Sequence, residues 1–326
     1  MRLRCAILDD YQNVAASMAD WSPVADRVEV TSFQRHFESE DDLVGVLRDC
    51  QIVVVIRERT PFGEALFARL PNLKLLVTTG MRNAAIDLKA AAARGVLVCG
   101  TASKAEPPAE LTWALILALA RHVVPENNAF RSGGPWQSTV GVDLKGKQLG
   151  VLGLGRLGGR VAAVGLAFGM RVAAWSQNLT RERTDAVGVA LAASKEELLE
   201  GSDFVTIHLV LGERTRGLIG AAELRRMRPS AYLINTSRAA LVDQEALVQA
   251  LREKWIAGAG VDVFETEPLP ADHALRTLPN LLATPHLGYV SLANYQTYFR
   301  EAVEDVKAFL AGAPVRQLSL NESRQP

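Results

Sequence analysis

The chain has 326 residues, of which 48% are hydrophobic and 22% charged. That is the profile of a globular protein too long for one ordinary core, so two domains are expected. Lysine plus arginine balance aspartate plus glutamate at 36 each, which removes the electrostatic footprint of a nucleic-acid binder.

The first hundred residues alternate strand and helix patterns. Strands are predicted over 3–8, 27–33, 51–56, 73–78 and 96–99, with helices over 41–49, 63–70 and 86–94. The last of these helices ends at Gly95, as a left-handed C-terminal cap should. Short apolar strands separated by helices imply a parallel sheet covered on both faces. After the first strand stands Asp9-Asp10-Tyr11, not a phosphate-type glycine loop. The reading is a doubly wound α/β domain that does not bind a nucleotide.

Pro107-Pro108 then precedes a long helix over 109–122, the element expected to join two domains. Its most apolar stretch, 111–120, is bounded by Glu110 and Arg121 and is too short to span a bilayer. It reads as a buried helix. A loop over 125–147, rich in Asn, Gly and Ser and carrying Trp136, follows; loops this long are usually functional or cover an interface.

The next stretch organises the chain. An apolar run over 149–152 breaks into Gly153-x-Gly155-x-x-Gly158 and continues as a helix through Val161, Val164, Leu166 and Phe168. This is the strand–turn–helix setting of a dinucleotide fingerprint. Gly153 permits the tight turn, Gly155 lets the backbone approach a pyrophosphate, and Gly158 lets helix and strand pack closely. Further strands are predicted over 171–175, 203–208, 231–235, 257–263 and 281–283, with helices near 195–200, 221–227 and 244–253. A final helix, about 291–311, is long enough to return to the first domain, and 321–326 reads as a polar, frayed tail. The expected division is therefore 1–100 with 290–326 as a substrate domain and 101–289 as an inserted dinucleotide domain. Two connections, near residues 100 and 290, suit hinge closure over a substrate.

Cys5, Cys50 and Cys99 lie in or beside apolar runs without metal-ligand spacing, so no metal is expected and buried thiols in a reducing cytoplasm are. The N-terminus, MRLRCAILDD, turns acidic too early for a secretory signal.

In open α/β sheets ligands sit beyond the carboxyl ends of the strands. Those ends deliver Arg238, Asp262, Glu267 and His286 from the second domain, and Arg57, Gly80, Met81 and Arg82 from the first. Hydride transfer to a keto acid needs a bidentate cation for the carboxylate and carbonyl, and a proton donor for the nascent alkoxide. It also gains from a carboxylate that orients the donor. Arg238, His286 and Glu267 are of the right types for these roles.

The chain resembles the D-isomer-specific 2-hydroxyacid dehydrogenase family over nearly its whole length. The motifs are Gly153-x-Gly155-x-x-Gly158, His208-Leu-Val-Leu, Asn235-Thr-Ser-Arg238, Val-Asp262-Val-Phe-Glu-x-Glu267-Pro and Thr284-Pro-His286-Leu-Gly288. The resemblance implies a Rossmann domain inserted in a flavodoxin-like substrate domain. It implies Arg238 as substrate anchor, His286 as proton donor and Glu267 as its partner. Gly153, Gly155, Arg156, Leu157, Gly158, Ser176, Gln177, Asn178, His208, Thr236, Ser237, Asp262 and Gly288 would lie along NAD or NADP, and Arg57, Met81 and Arg82 along the substrate. A homodimer formed through the nucleotide domain is also implied, with the 125–147 loop at its interface, and neither nucleic acid nor membrane as partner.

Three departures stand out. Ser176, followed by Gln177, Asn178 and Thr180, replaces the acidic residue that would repel a 2′-phosphate, which tilts the cofactor slightly toward NADPH. Arg82 stands where the family usually has glycine, either adding charge for a bulkier or doubly acidic substrate or facing solvent. Val210 replaces a proline after His208. The expected activity is NAD(P)H-linked interconversion of a 2-keto acid and a D-2-hydroxy acid, with glyoxylate and hydroxypyruvate as plausible substrates. The alternatives are a phosphoglycerate dehydrogenase and a corepressor-like dinucleotide sensor. Formate dehydrogenases pair the histidine with glutamine, and Glu267 argues against them.

Overall fold

The computed structural model describes residues 2–319, so the tail expected at 321–326 lies outside the described residues. The chain divides into two compact units, Met1–Lys104 with Ser291–Pro326, and Ala105–Val290.

The first unit holds five parallel strands: β1 (Leu3–Ile7), β2 (Val28–Ser32), β3 (Ile52–Val55), β4 (Leu75–Thr78) and β5 (Leu97–Gly100). Their order is β2-β1-β3-β4-β5, the flavodoxin-like arrangement. Every residue of β3 (IVVV) and β4 (LLVT) is buried, as a sheet covered on both faces requires. Helices Glu40–Leu47 and Leu88–Ala93 start where Ser39 and Asp87 accept hydrogen bonds from the first free N–H groups. Gly95, at φ +67°, ends the second. Helix Leu292–Leu310 returns to this unit and buries Tyr295, Tyr298, Phe299, Ala302 and Val306.

Two one-turn helices, Ala15–Met18 and Ser22–Ala25, fill a stretch without predicted elements. The Asp10 carboxylate accepts from the N–H groups of Val14 and Ala15, both at 3.0 Å. It supplies the negative charge that a phosphate would bring to a nucleotide loop.

The second unit holds seven parallel strands: β6 (Gln148–Leu152), β7 (Arg171–Trp175), β8 (Ala190–Leu191), β9 (Phe204–Ile207), β10 (Tyr232–Asn235), β11 (Gly258–Val261) and β12 (Leu281–Ala283). Their order is β12-β11-β10-β9-β6-β7-β8. Chain progression reverses beside β6, between β7 and β9, which makes the end of β6 the switch point of a Rossmann sheet.

Three local expectations are corrected. The joining helix begins a turn early, at Glu106, and runs to Ala120. Pro107 and Pro108 sit inside its first turn, where a missing N–H costs nothing. Its apolar run is not wholly enclosed, for Leu117 is exposed while Trp113, Leu115 and Ile116 are buried. The expected 125–147 loop is shorter, because Val123–Arg131 is helical, again with a proline in its first turn. His122, at φ +51°, breaks the chain between the two helices.

Candidate active site

The fingerprint turn is shaped by what its glycines exclude. Gly153 adopts φ +98°, and a Cβ there would stand 2.8 Å from the His208 carbonyl oxygen. A Cβ on Gly158 would run into the Gly153 carbonyl. Gly155, by contrast, has open space where its Cβ would be, directly ahead of helix Arg156–Ala167. Free N–H groups at the start of that helix, approached by an uncrowded backbone, fit a dinucleotide pyrophosphate. Arg156 and Leu157 lie in its first turn.

At the end of β7, Ser176 is half-buried and Gln177 and Asn178 are exposed. The following helix, Arg181–Asp185, turns Arg183 back so that its Nη2 donates to the Leu154 carbonyl at 3.4 Å. Arg183 therefore reaches the fingerprint turn itself. Sequence reasoning passed it over, because no local pattern shows that the chain doubles back here.

The carboxyl ends of β11 and β12 bring His286 and Glu267 together. His286 stands at φ +53° on the turn after β12, and its Nδ1 meets Glu267 Oε2 at 2.6 Å. The other Glu267 oxygen accepts from the Phe264 N–H at 2.9 Å, which fixes the carboxylate's orientation. With Nδ1 engaged by Glu267, Nε2 is the ring nitrogen left for another partner. The Tyr289 ring packs edge-on to the imidazole, with centroids 5.4 Å apart.

Asp262 holds this turn in place. Fully buried after β11, it accepts from Thr284 Oγ1 (2.6 Å), Leu287 N (2.7 Å) and Gly288 N (2.8 Å). Burial pushes its carboxyl above the ordinary range, and the three donors and His286 act in the opposite direction. Asp262 and Gly288, expected along the cofactor, are thus bound to each other around the histidine. Thr284, the strongest of the donors by distance, had no signal in the sequence beyond its place in the motif.

Arg238 follows β10, and its Nη1 donates to the Ser237 carbonyl at 2.8 Å. The segment is tied at each end. Ser237 Oγ donates to the Ile207 carbonyl (2.8 Å), and Asn235 Nδ2 donates to the Arg238 carbonyl (2.9 Å). Thr236 Oγ1 lies 2.8 Å from Thr112 Oγ1. His208 closes β9 with Nε2 2.9 Å from Thr206 Oγ1, and burial lowers its pKa to about 4, so the ring is neutral at physiological pH. Val210 is 79% exposed and packs on little.

In the first unit, Arg57 adopts φ +56° after β3. Its guanidinium lies where a Gly80 side chain would be and donates to the Thr79 carbonyl at 3.2 Å. Asn83 Nδ2 donates to the Arg57 carbonyl (2.6 Å) and to Thr78 Oγ1 (2.8 Å), shaping the loop that bears Met81 and Arg82. Met81 is 41% exposed.

No group of His, Cys, Asp and Glu among the described residues is arranged to hold a metal ion. No helix of theirs is long and apolar enough to cross a membrane.

Comparison with known proteins now decides the family. Residues 113–288 match the sequence profile described as "D-isomer specific 2-hydroxyacid dehydrogenase, NAD binding domain". The chain belongs to this family. It is 41% identical over 256 residues to the glyoxylate reductase of Aeropyrum pernix, covering 76% of each chain. It is 36% identical over 265 residues to the D-3-phosphoglycerate dehydrogenase of Bacillus subtilis, covering 80% of this chain and 50% of that one. The crystal structure of a phosphoglycerate oxidoreductase from Vibrio cholerae superposes with a TM-score of 0.90 at 39% identity, over 95% of this chain and 100% of that one. As a 2-hydroxyacid dehydrogenase, the protein is an oxidoreductase that moves a hydride between a nicotinamide dinucleotide, NAD(H) or NADP(H), and C2 of a 2-keto or D-2-hydroxy acid.

Proposed function

We propose that the enzyme reduces a small 2-keto acid of the glyoxylate or hydroxypyruvate type, and runs the reverse oxidation when concentrations favour it. The observation that carries this reading is the 2.6 Å His286–Glu267 pair on a turn held by Asp262. In this reading the Ala105–Val290 unit holds the cofactor and the other unit holds substrate groups. Bound nicotinamide supplies or accepts the hydride. Arg238 grips the carboxylate and polarises the carbonyl, and His286 Nε2 delivers the proton to the forming alkoxide. Arg57, Met81 and Arg82 are the first unit's substrate contacts in this reading. Arg82 itself extends the positive charge of that loop. The buried thiols Cys5, Cys50 and Cys99 suit a cytoplasmic protein.

NADPH is the cofactor this reading favours. No carboxylate closes β7, and in this reading Arg183, which donates to the Leu154 carbonyl beside the fingerprint turn, is the cation for an added phosphate. Binding titrations should give NADPH an affinity about fivefold above NADH, and Arg183→Ala should erase the difference. Equal affinities in the parent protein would end the assignment. Turnover is then tested with both cofactors on glyoxylate, hydroxypyruvate, 3-phosphohydroxypyruvate, pyruvate, phenylpyruvate and 2-ketoglutarate. Preference for the phosphorylated acid would favour the phosphoglycerate reading, and tight cofactor binding without turnover would favour the sensor.

The protein is further proposed to be a homodimer built on the second unit. Val123, Phe130, Trp136 and Val140 there are 51%, 68%, 82% and 91% exposed, an apolar surface unusual for a lone chain. Light scattering should return twice the mass of one chain, and charged replacements at Phe130 and Trp136 should halve it. A monomer at micromolar concentration would refute this.

A further inference from the structure

The first connection between the units passes through residues 101–104, which belong to no helix or strand. Ala102, Ser103 and Lys104 are exposed, yet each is tied to one stripe of helix Leu292–Leu310. The Ala102 N–H donates to Glu301 Oε2 (2.6 Å), Ser103 Oγ lies 2.8 Å from Tyr298 OH, and the Lys104 N–H donates to Asn294 Oδ1 (2.9 Å). Asn294, Tyr298 and Glu301 are spaced i, i+4, i+7, so they line one face of the helix, which the strap follows in the opposite direction. Asn294 and Tyr298 are fully buried.

The strap is fixed at its other end too. Thr101 Oγ1 accepts from the Gly80 N–H at 3.0 Å, and the Thr101 N–H donates to the Thr78 carbonyl. Just before it, the Gly100 N–H donates to the carbonyl of Arg316, whose Nη2 donates in turn to the Glu301 carbonyl at 2.8 Å. Arg316 also pairs with Glu304 and Asp305. Segments without secondary structure normally leave their N–H groups to water. Here side chains taken from 190 to 199 residues away satisfy them.

We propose that Glu301, Tyr298 and Asn294 are positioning residues, which make 101–104 a rigid strap between the loop bearing Gly80 and the crossover at Lys104–Ala105. The strap also fixes Gly80, so substrate affinity depends on it and cofactor affinity does not. The kinetic consequence rests on the proposed function; the rigidity does not.

The test is hydrogen exchange of the 101–105 amides, alongside KM for the best keto acid and Kd for the reduced cofactor. Glu301→Ala should speed exchange and raise KM, each by about tenfold, with Kd unchanged within about twofold. Glu301→Gln keeps an acceptor for the Ala102 N–H and should restore both. Should Glu301→Ala fail to fold, Tyr298→Phe removes the Ser103 contact alone and should show the same pattern more weakly. Unchanged exchange, equal losses of keto acid and cofactor binding, or failure of glutamine to rescue would each overturn the proposal. If no keto acid is turned over, the function reading falls while the exchange data still decide the strap.

Discussion

Replacing His286 by asparagine lowers kcat by about 10²–10⁴-fold, the usual worth of a positioned general acid. Asparagine is the informative choice. His286 sits at φ +53°, a region asparagine tolerates better than alanine, so the backbone of the turn is left without added strain. Asparagine cannot shuttle a proton, and cofactor affinity and melting temperature should stay near those of the parent. Glu267→Gln should act in the same direction but less, about tenfold to a hundredfold, because it removes the charge that orients the ring and leaves the ring itself. Stopped-flow measurement of reduced-nicotinamide absorbance with saturating substrate separates the two. A His286→Asn enzyme that retained more than about a tenth of the parent rate would remove His286 from proton transfer.

Asp262→Ala destabilises the second unit by about 3 kcal/mol and abolishes turnover with it. The carboxylate is inaccessible and receives three short hydrogen bonds from the 284–288 turn. Its loss leaves two backbone N–H groups and a hydroxyl without their acceptor, the Gly288 N–H in a buried position, and frees the turn that bears His286. Asp262→Asn should rescue little. An amide has one acceptor oxygen, and its NH₂ would face the N–H of Leu287 or Gly288, donor against donor. Thermal unfolding should fall by roughly 6–12 °C for the alanine variant. A variant that melts with the parent, or keeps its kcat, would show that the turn is held by something else.

The sheets were legible because their signal is local. Runs such as IVVV and LLVT leave no polar face for solvent, and the fingerprint glycines stand between a strand and a helix of ordinary length. His286 and Glu267 were legible as a pair because both follow strands that end at the same sheet edge. What escaped depends on the chain meeting itself again. Asp262 reads as a strand-end acid until Thr284, 22 residues on, is seen to donate to it. Arg183 is one of several basic residues until its helix turns back over Leu154. The Val123–Arg131 helix was hidden by Pro125 and two asparagines, which lower helix propensity without forbidding a first turn.

The segment that anchors Arg316 has a second consequence. β5 ends the first unit's sheet on one side, and an uncovered outer strand offers its N–H and C=O groups to any other chain. Gln317 bridges Cys99 in antiparallel fashion, and the Leu318 N–H donates to the Val98 carbonyl at 2.9 Å. The chain thus seals its own sheet margin. A version of the protein cut back before Arg316 would present that margin bare, and self-association would be the first property to change.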